Sequence, residues 1–325
     1  MVNQLIILPL LLVLAQKPAE KPKVHADFQF GSYPASRSAE DLMKDDLTRM
    51  TIVAYHEGWR LDKISKDLKV DLDNVSKISD KLEDEKLGGR RNEYDIRPFF
   101  PVIREADFAR VKDGLRRHTE EFTKLLLDNW KDIEATVDSL EGMKGVPKDR
   151  AMYETVVSGI LLGGMMDAFY EDQTLMPAPP RHAKNERYYA WLIESNPAAA
   201  GRLRRELRES ANYRVISIGT ALPDEKLNPD DLRGKAVVLD EIEARKYRAF
   251  IGIFTRDKLL PYFKSHRPEL LKQAALIQAG RYVAFAQVFA WYYDAIANGV
   301  TDALVAEKRI TPPEKVYTYA VRIPQ

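Results

Sequence analysis

Cysteine is absent from the 325 residues of this chain. That absence excludes disulfides, thiolate catalysis, cysteine-ligated zinc and a lipid anchor on cysteine. It leaves the compartment open, because a chain this long can bury a core without covalent staples. An excess of charge is missing as well: 50 basic side chains stand against 49 acidic ones, for a formal net charge of +1. Such a balance supplies no bulk attraction to nucleic acid or anionic lipid. No apolar run reaches the roughly 20 residues of a membrane-spanning helix. The sequence also lacks a metalloprotease histidine pair, a phosphate loop, a dinucleotide-binding glycine fingerprint and a nucleophile elbow. The 5 histidines, His25, His56, His118, His182 and His266, are scattered. Each is expected at the surface or at a helix end, and no metal site or cofactor follows from their spacing.

What is present belongs to a globular protein: 45% hydrophobic and 30% charged residues, enough for two or three modules. Leu5 to Ala15 is apolar apart from Pro9, and Val13-Leu14-Ala15 fits a small-x-small cleavage site. The leading region carries no Lys or Arg, so a buried strand or helix is the competing reading. The expectation is an export signal over residues 1–15, a mature start at Gln16 and a periplasmic or secreted protein. Residues 16–38 read as a linker with one extended piece, "HADFQFGSY".

From Ala39 the apolar period becomes helical. Leu47, Met50, Val53 and Ala54 share one face; Leu61, Ile64 and Leu68 mark a second helix, and Leu72, Val75, Ile78 and Leu82 a third. Asp71 is placed to cap the third with its carboxylate, and Gly88-Gly89 to stop it. "RRNEYDIRPFFPVI" then favours an extended pair around a polar tip. Three helices and such a pair resemble the winged helix-turn-helix of bacterial transcription regulators over Glu40 to Ile103. Leu61, Ile64 and Leu68 match the apolar positions of that fold's second helix, and Val75, Ile78 and Leu82 those of its recognition helix. The resemblance implies a winged-helix-like domain at 39–103.

Beyond it, a helical region spans 104–176: one long helix from Glu105 to Leu140, then another from Arg150 to about Leu175. Gly159 and Gly163, four apart in the latter, invite a close-packed partner. A helix over Pro268 to about Ala297, with Ala279, Gly280, Ala284 and Ala286 among aromatics, is the expected mate. The region 177–325 reads as α+β. "RYYAWLIE", "YRVISIGTA" and "KVYTYAVRI" are strands of one small sheet packed on helices, "PAAAGRLRRELRE" is a basic helix, and a further helix covers Asp231 to Phe263. The fold class is mainly α with α+β parts.

Chemistry-bearing patterns are few. Asp167 and Glu171 can share a helix face and, with His182, make a general acid/base or metal candidate. The plainer reading is a solvated helix end, where carboxylates oppose the helix dipole unless Arg181 or Lys184 offsets them. Tyr282, Phe285, Phe289 and Tyr292 recur at helical spacing and are ligand-pocket candidates, against the plainer reading of a packed core. Arg202, Arg204, Arg205 and Arg208 alternate with Glu206 and Glu209 as a solvated face.

If the resemblance extended to DNA, Lys77, Lys81, Arg90, Arg91 and Arg97 would be the contacting cations. The recognition-helix segment opposes this, because Asp71, Asp73, Asp80, Glu83, Asp84 and Glu85 outnumber Lys77, Lys81 and Lys86. The leading expectation is therefore an exported, non-enzymatic protein whose winged-helix-like module binds another protein or an envelope component. A cytoplasmic DNA-binding regulator with a ligand-sensing carboxy-terminal region is the alternative. An exported hydrolase-like enzyme using Asp167, Glu171 and His182 is the third.

Overall fold

The computed structural model describes residues 24–92, 95–194, 204–209, 213–219, 237–312 and 317–322. The proposed export segment, residues 1–15, lies outside them. Strand β1 (Phe28–Tyr33) forms inside the stretch read as a linker. Helices α1 (Arg37–Leu42), α2 (Asp46–His56), α3 (Leu61–Leu68) and α4 (Leu72–Asp84) follow. The antiparallel strands β2 (Gly88–Asn92) and β3 (Asp95–Pro98) come next. Asp45 starts α2 by accepting from the Thr48 amide at 2.9 Å, which satisfies one of the amides a helix start leaves open.

The start and stop of α4 differ from expectation. Asp71 occupies the N-cap position, but its side chain makes no cap bond. Gly88 and Gly89 do not stop the helix: it ends at Asp84, Lys86 takes a left-handed φ of 55°, and both glycines lie in β2. At Gly89 the tip of the half-exposed Phe99 ring occupies the space a side chain would take. Val75, Ile78 and Leu82 are buried as the period predicts, whereas Leu72 is 51% exposed and outside the core.

This first core is completed by distant residues. Strands β4 (Val102–Ile103) and β5 (Tyr189–Glu194) join β1 in a sheet of order β1-β5-β4. The β1–β5 pairing is antiparallel and the β4–β5 pairing parallel. All 6 residues of β5 are buried, because the strand has a core on each face. Tyr188, just ahead of it, with Ala190 and Leu192 packs against Ile52, Ile64, Val75 and Phe100, together with Val24 and Phe28. Tyr189, Trp191 and Ile193 face the larger helical core. Alternation along one strand thus binds the two cores together.

The helical core is built from α5 (Glu105–Asp128), α6 (Trp130–Asp138), α7 (Lys148–Tyr153) and α8 (Met165–Asp172). The single helix expected from Glu105 to Leu140 is two, interrupted at Asn129, whose φ of −107° and ψ of 15° leave the helical region. Between α7 and α8 the chain runs as a π-helix over Glu154–Gly164, every residue of it buried.

The later elements are β6 (Arg204–Glu209), β7 (Tyr213–Gly219), β8 (Val237–Leu239), α9 (Glu241–Phe254), a π-helical turn over Thr255–Leu259, α10 (Leu260–Ser265), α11 (Arg267–Leu276), α12 (Phe285–Ala306) and β9 (Tyr317–Arg322). A second sheet has the order β6-β7-β9-β8. The expected basic helix is strand β6 from Arg204 onward, an edge strand paired antiparallel with β7; pairing overrides helix propensity, and a sequence rich in Arg and Glu suits an edge that must resist further pairing. The three expected strands do not share a sheet, since β5 lies between β1 and β4. The helix expected over Asp231 to Phe263 begins only at Glu241, after β8.

The helix expected over 268–297 is also broken. It ends at Leu276, passes through a 3-10 turn over Gln278–Arg281, and restarts at Phe285. Gly280 serves that turn, where a Cβ would strike the Ala274 carbonyl. The expected mate of Gly159 therefore changes. A Cβ on Gly159 would strike Tyr247 Oη, and one on Gly164 the Ile251 side chain, both of α9. Glycines five apart can share that face because a π-helix has more residues in each turn than an α-helix. Leucine at Gly159 is expected to overpack this crossing and cost about 1–3 kcal/mol or more, read as a lowered thermal midpoint. An unchanged midpoint refutes the close approach.

Candidate functional site

The cations of the alternative, DNA-binding reading lie on α4, β2 and β3. Arg90 in β2 is tied to the preceding helix: its guanidinium contacts Asp80 and lies 3.1 Å from Glu83 Oε2, and its amide donates to Glu83 Oε1 at 2.9 Å. The Arg97 guanidinium sits 5.9 Å from the Tyr282 ring centroid, turned toward the helical core. Lys77 and Lys81 remain exposed on α4 beside Asp73, Asp80 and Asp84. The side chain of Arg91 lies outside the described residues.

The acid/base candidates do not converge into a site. Asp167 and Glu171 are exposed on α8. His182 is buried, stacked on Tyr188 at 3.8 Å between centroids, with Nε2–H donating to the Tyr188 carbonyl at 2.9 Å. Among the described residues no group of three or more His, Asp or Glu can hold a metal. The aromatic candidates fill space rather than line it. Phe289 and Tyr292 are buried on α12, and Phe289 meets Phe169 at 5.2 Å and Phe285 at 5.6 Å. Tyr282 lies ahead of the helix, not on it. A surface cleft of about 410 Å³ does open beside α6 and α7, but Lys148 at its rim is paired with Asp138 at 2.9 Å.

Three polar clusters emerge that spacing along the chain had not revealed, and each joins distant elements. In the first, Tyr262 Oη donates to Glu121 Oε2 at 2.8 Å and lies 2.7 Å from His118 Nδ1. With the hydroxyl proton committed to Glu121, His118 must donate through Nδ1–H, which leaves the lone pair on Nε2. That atom is buried, with no hydrogen-bond partner and Glu269 Oε1 3.7 Å away. Burial, reinforced by Arg117 and His266, pushes the His118 imidazole down to about 4. Arg117 pairs with Glu269, and His266 Nε2 lies 3.8 Å from Glu121. Tyr262, His266 and Glu269 have helical spacing in the sequence, yet the break between α10 and α11 hides them from a simple periodic scan.

In the second cluster His56, at the end of α2, places Nδ1 2.6 Å from Tyr282 Oη, while Gln278 Nε2 donates to the His56 carbonyl at 3.2 Å. The Gln278 amide donates in turn to Asp107 Oδ1 at 3.0 Å. Burial, with Arg104 nearby, lowers His56 to about 4. In the third, buried Glu194 receives His25 Nε2 at 2.8 Å, the Glu105 amide at 2.8 Å and Arg104 Nε at 3.2 Å; Arg104 also reaches Glu57 at 3.4 Å. Burial alone would raise the Glu194 carboxyl, but the Glu105 amide, His25 and Arg104 outweigh it and hold the group below its ordinary value.

His118, His56 and Glu194 are buried, while Arg117, Glu121, His266 and Glu269 around His118 are partly open to solvent. The hydrogen bonds of these clusters join helices, the β1-β5-β4 sheet and the α2–α4 segment, while Nε2 of His56 and of His118 is buried without a hydrogen-bond partner. Among the described residues no helix is long and apolar enough to cross a membrane. No protein-family model, curated protein or solved structure matches this chain.

Proposed function

We propose that this chain is an exported, non-enzymatic protein whose winged-helix-like segment is a packing and interaction scaffold for another protein or an envelope component. The observation that carries the reading is the pairing of Arg90 with Asp80 and Glu83. A nucleic-acid reader turns its cations toward phosphate, whereas here Arg90 is paired with two carboxylates of α4. The inward turn of Arg97 supports the same reading, as does the balanced net charge of +1. Export rests on the apolar stretch Leu5–Ala15 and its small-x-small end.

The test begins with protein recovered from cells, whose mature chain is expected to start at Gln16. In a mobility-shift assay at physiological salt it is expected to give no complex that survives competitor DNA. Asp80→Ala with Glu83→Ala, which frees Arg90, is expected to add only weak binding that competitor and salt remove. A competitor-resistant shift that weakens on Arg90→Ala would favour the regulator, and an intact Met1 on cytosolic protein would end the export reading.

A further inference from the structure

Helix α9 is amphipathic in the inward direction and carries a second pattern outward. Ala244, Tyr247, Ile251 and Phe254 are buried and hold it on the core. A capping box fixes its start: Asp240 accepts from the Glu243 amide at 2.8 Å, and the Glu243 carboxylate accepts from the Asp240 amide at 3.3 Å. On the opposite side Ile242 is 66% and Ile253 55% exposed, more than any other large hydrophobic among the described residues. They stand about 16 Å apart along one helix face, with exposed Ala249 and Gly252 between them. A Cβ on Gly252 would meet nothing within 4 Å. A glycine inside an exposed helix weakens it by about 1 kcal/mol relative to alanine, and no packing among the described residues explains this one.

The stripe is flanked by exposed cations: Arg245, Lys246, Arg248 and Arg256. Arg245 and Arg256 make surface pairs with Glu241 and Asp257, of a kind that contributes little and exchanges readily. Lys246 and Arg248 pair with no acid among the described residues. We infer that this face of α9 docks an acidic amphipathic helix of another protein, its apolar stripe seated on Ile242 and Ile253 and its backbone passing close over Ala249 and Gly252. The cations argue against a second copy of this chain, whose like-charged face would be repelled. Two isoleucines offer too little apolar area for a lipid surface, which an amphipathic helix grips with a broad apolar face. The inference does not depend on the winged-helix segment or on export.

The test uses the full-length protein and a synthetic helical peptide with one leucine stripe flanked by glutamates. Controls are a peptide of the same composition with scrambled order, and one with lysine in place of glutamate. Fluorescence anisotropy is expected to show saturable, salt-sensitive binding of the acidic amphipathic peptide only. Ile253→Ser is expected to weaken it at least tenfold with all charges retained, and Lys246→Glu with Arg248→Glu to do the same with the apolar residues retained. These positions are exposed, and circular dichroism checks that each variant is folded. Equal affinity for the scrambled peptide, or insensitivity to Ile253→Ser, overturns the inference. So does binding to phosphatidylserine vesicles without peptide binding, or a concentration-dependent dimer abolished by Ile253→Ser.

Discussion

Trp191→Ala is expected to cost about 3–5 kcal/mol, the range for emptying a large aromatic site in a core, and to lower the unfolding of both cores together. Trp191 is 2% exposed, and its indole lies over Gly31 where any side chain on that glycine would collide with it. It faces the helical core, while Leu192, the next residue, is 0% exposed and faces the core of the α2–α4 segment. Leu192→Ala is expected to cost about 2–5 kcal/mol. Because both residues belong to β5, and β5 is paired on each side, neither core can lose the strand alone. Denaturant unfolding should therefore show one transition in the wild type and in both variants. Amide exchange in α4 should accelerate in Trp191→Ala although that side chain touches the opposite core. Two transitions, with Trp191→Ala moving only one, would show instead that the cores unfold independently.

Acid is expected to weaken the fold between pH 6.5 and 4 through His56 and His118. Both imidazoles are buried and lowered from 6.5 to about 4. Their folded pKa values are depressed, so their contribution is complete above pH 6.5. It is lost as pH falls, because the unfolded chain takes up protons that the folded one refuses. At about 1.4 kcal/mol per pH unit for each group, the pair removes about 5 kcal/mol between pH 7.5 and 4.5. Asp294 acts in the opposite sense. Burial raises its carboxyl from 3.8 to about 7 despite a hydrogen bond from Asn298. Its contribution is present below pH 3.8 and lost as pH rises through 7, so acidification to 4.5 returns about 3 kcal/mol. The wild type should show the modest difference.

Substitution separates the opposing contributions. Asn in place of each histidine keeps a polar group near the Nδ1 position, so His56→Asn with His118→Asn should leave a protein that gains stability on acidification. Asp294→Asn should deepen the acid loss by about 3 kcal/mol. Urea unfolding of the three proteins at pH 7.5 and 4.5 measures this. An unaltered pH dependence in the double histidine variant would show that neither imidazole is held neutral. Glu194 falls outside the window: its depressed carboxyl contributes above its ordinary 4.5 and loses that contribution only in stronger acid.

By itself the sequence determined what depends on near neighbours. The apolar period of Leu61, Ile64, Val75, Ile78 and Leu82 set α3, α4 and their buried faces. The extended-favouring residues around the polar tip of "RRNEYDIRPFFPVI" placed an antiparallel pair, and the lack of cysteine and of catalytic signatures narrowed the chemistry. Tertiary structure decided what depends on partners far along the chain. Arg204–Glu209 is a strand because β7 supplies its hydrogen bonds, and Gly159 and Gly164 share a face because the buried chain around them winds as a π-helix. His56 meets Tyr282, and His118 meets Tyr262, across separations of 226 and 144 residues, distances at which no periodicity survives. Local sequence carries the conformational preference of each segment. Burial, pairing and the neutralisation of Arg90 are properties of contacts, and contacts exist only once the chain has folded.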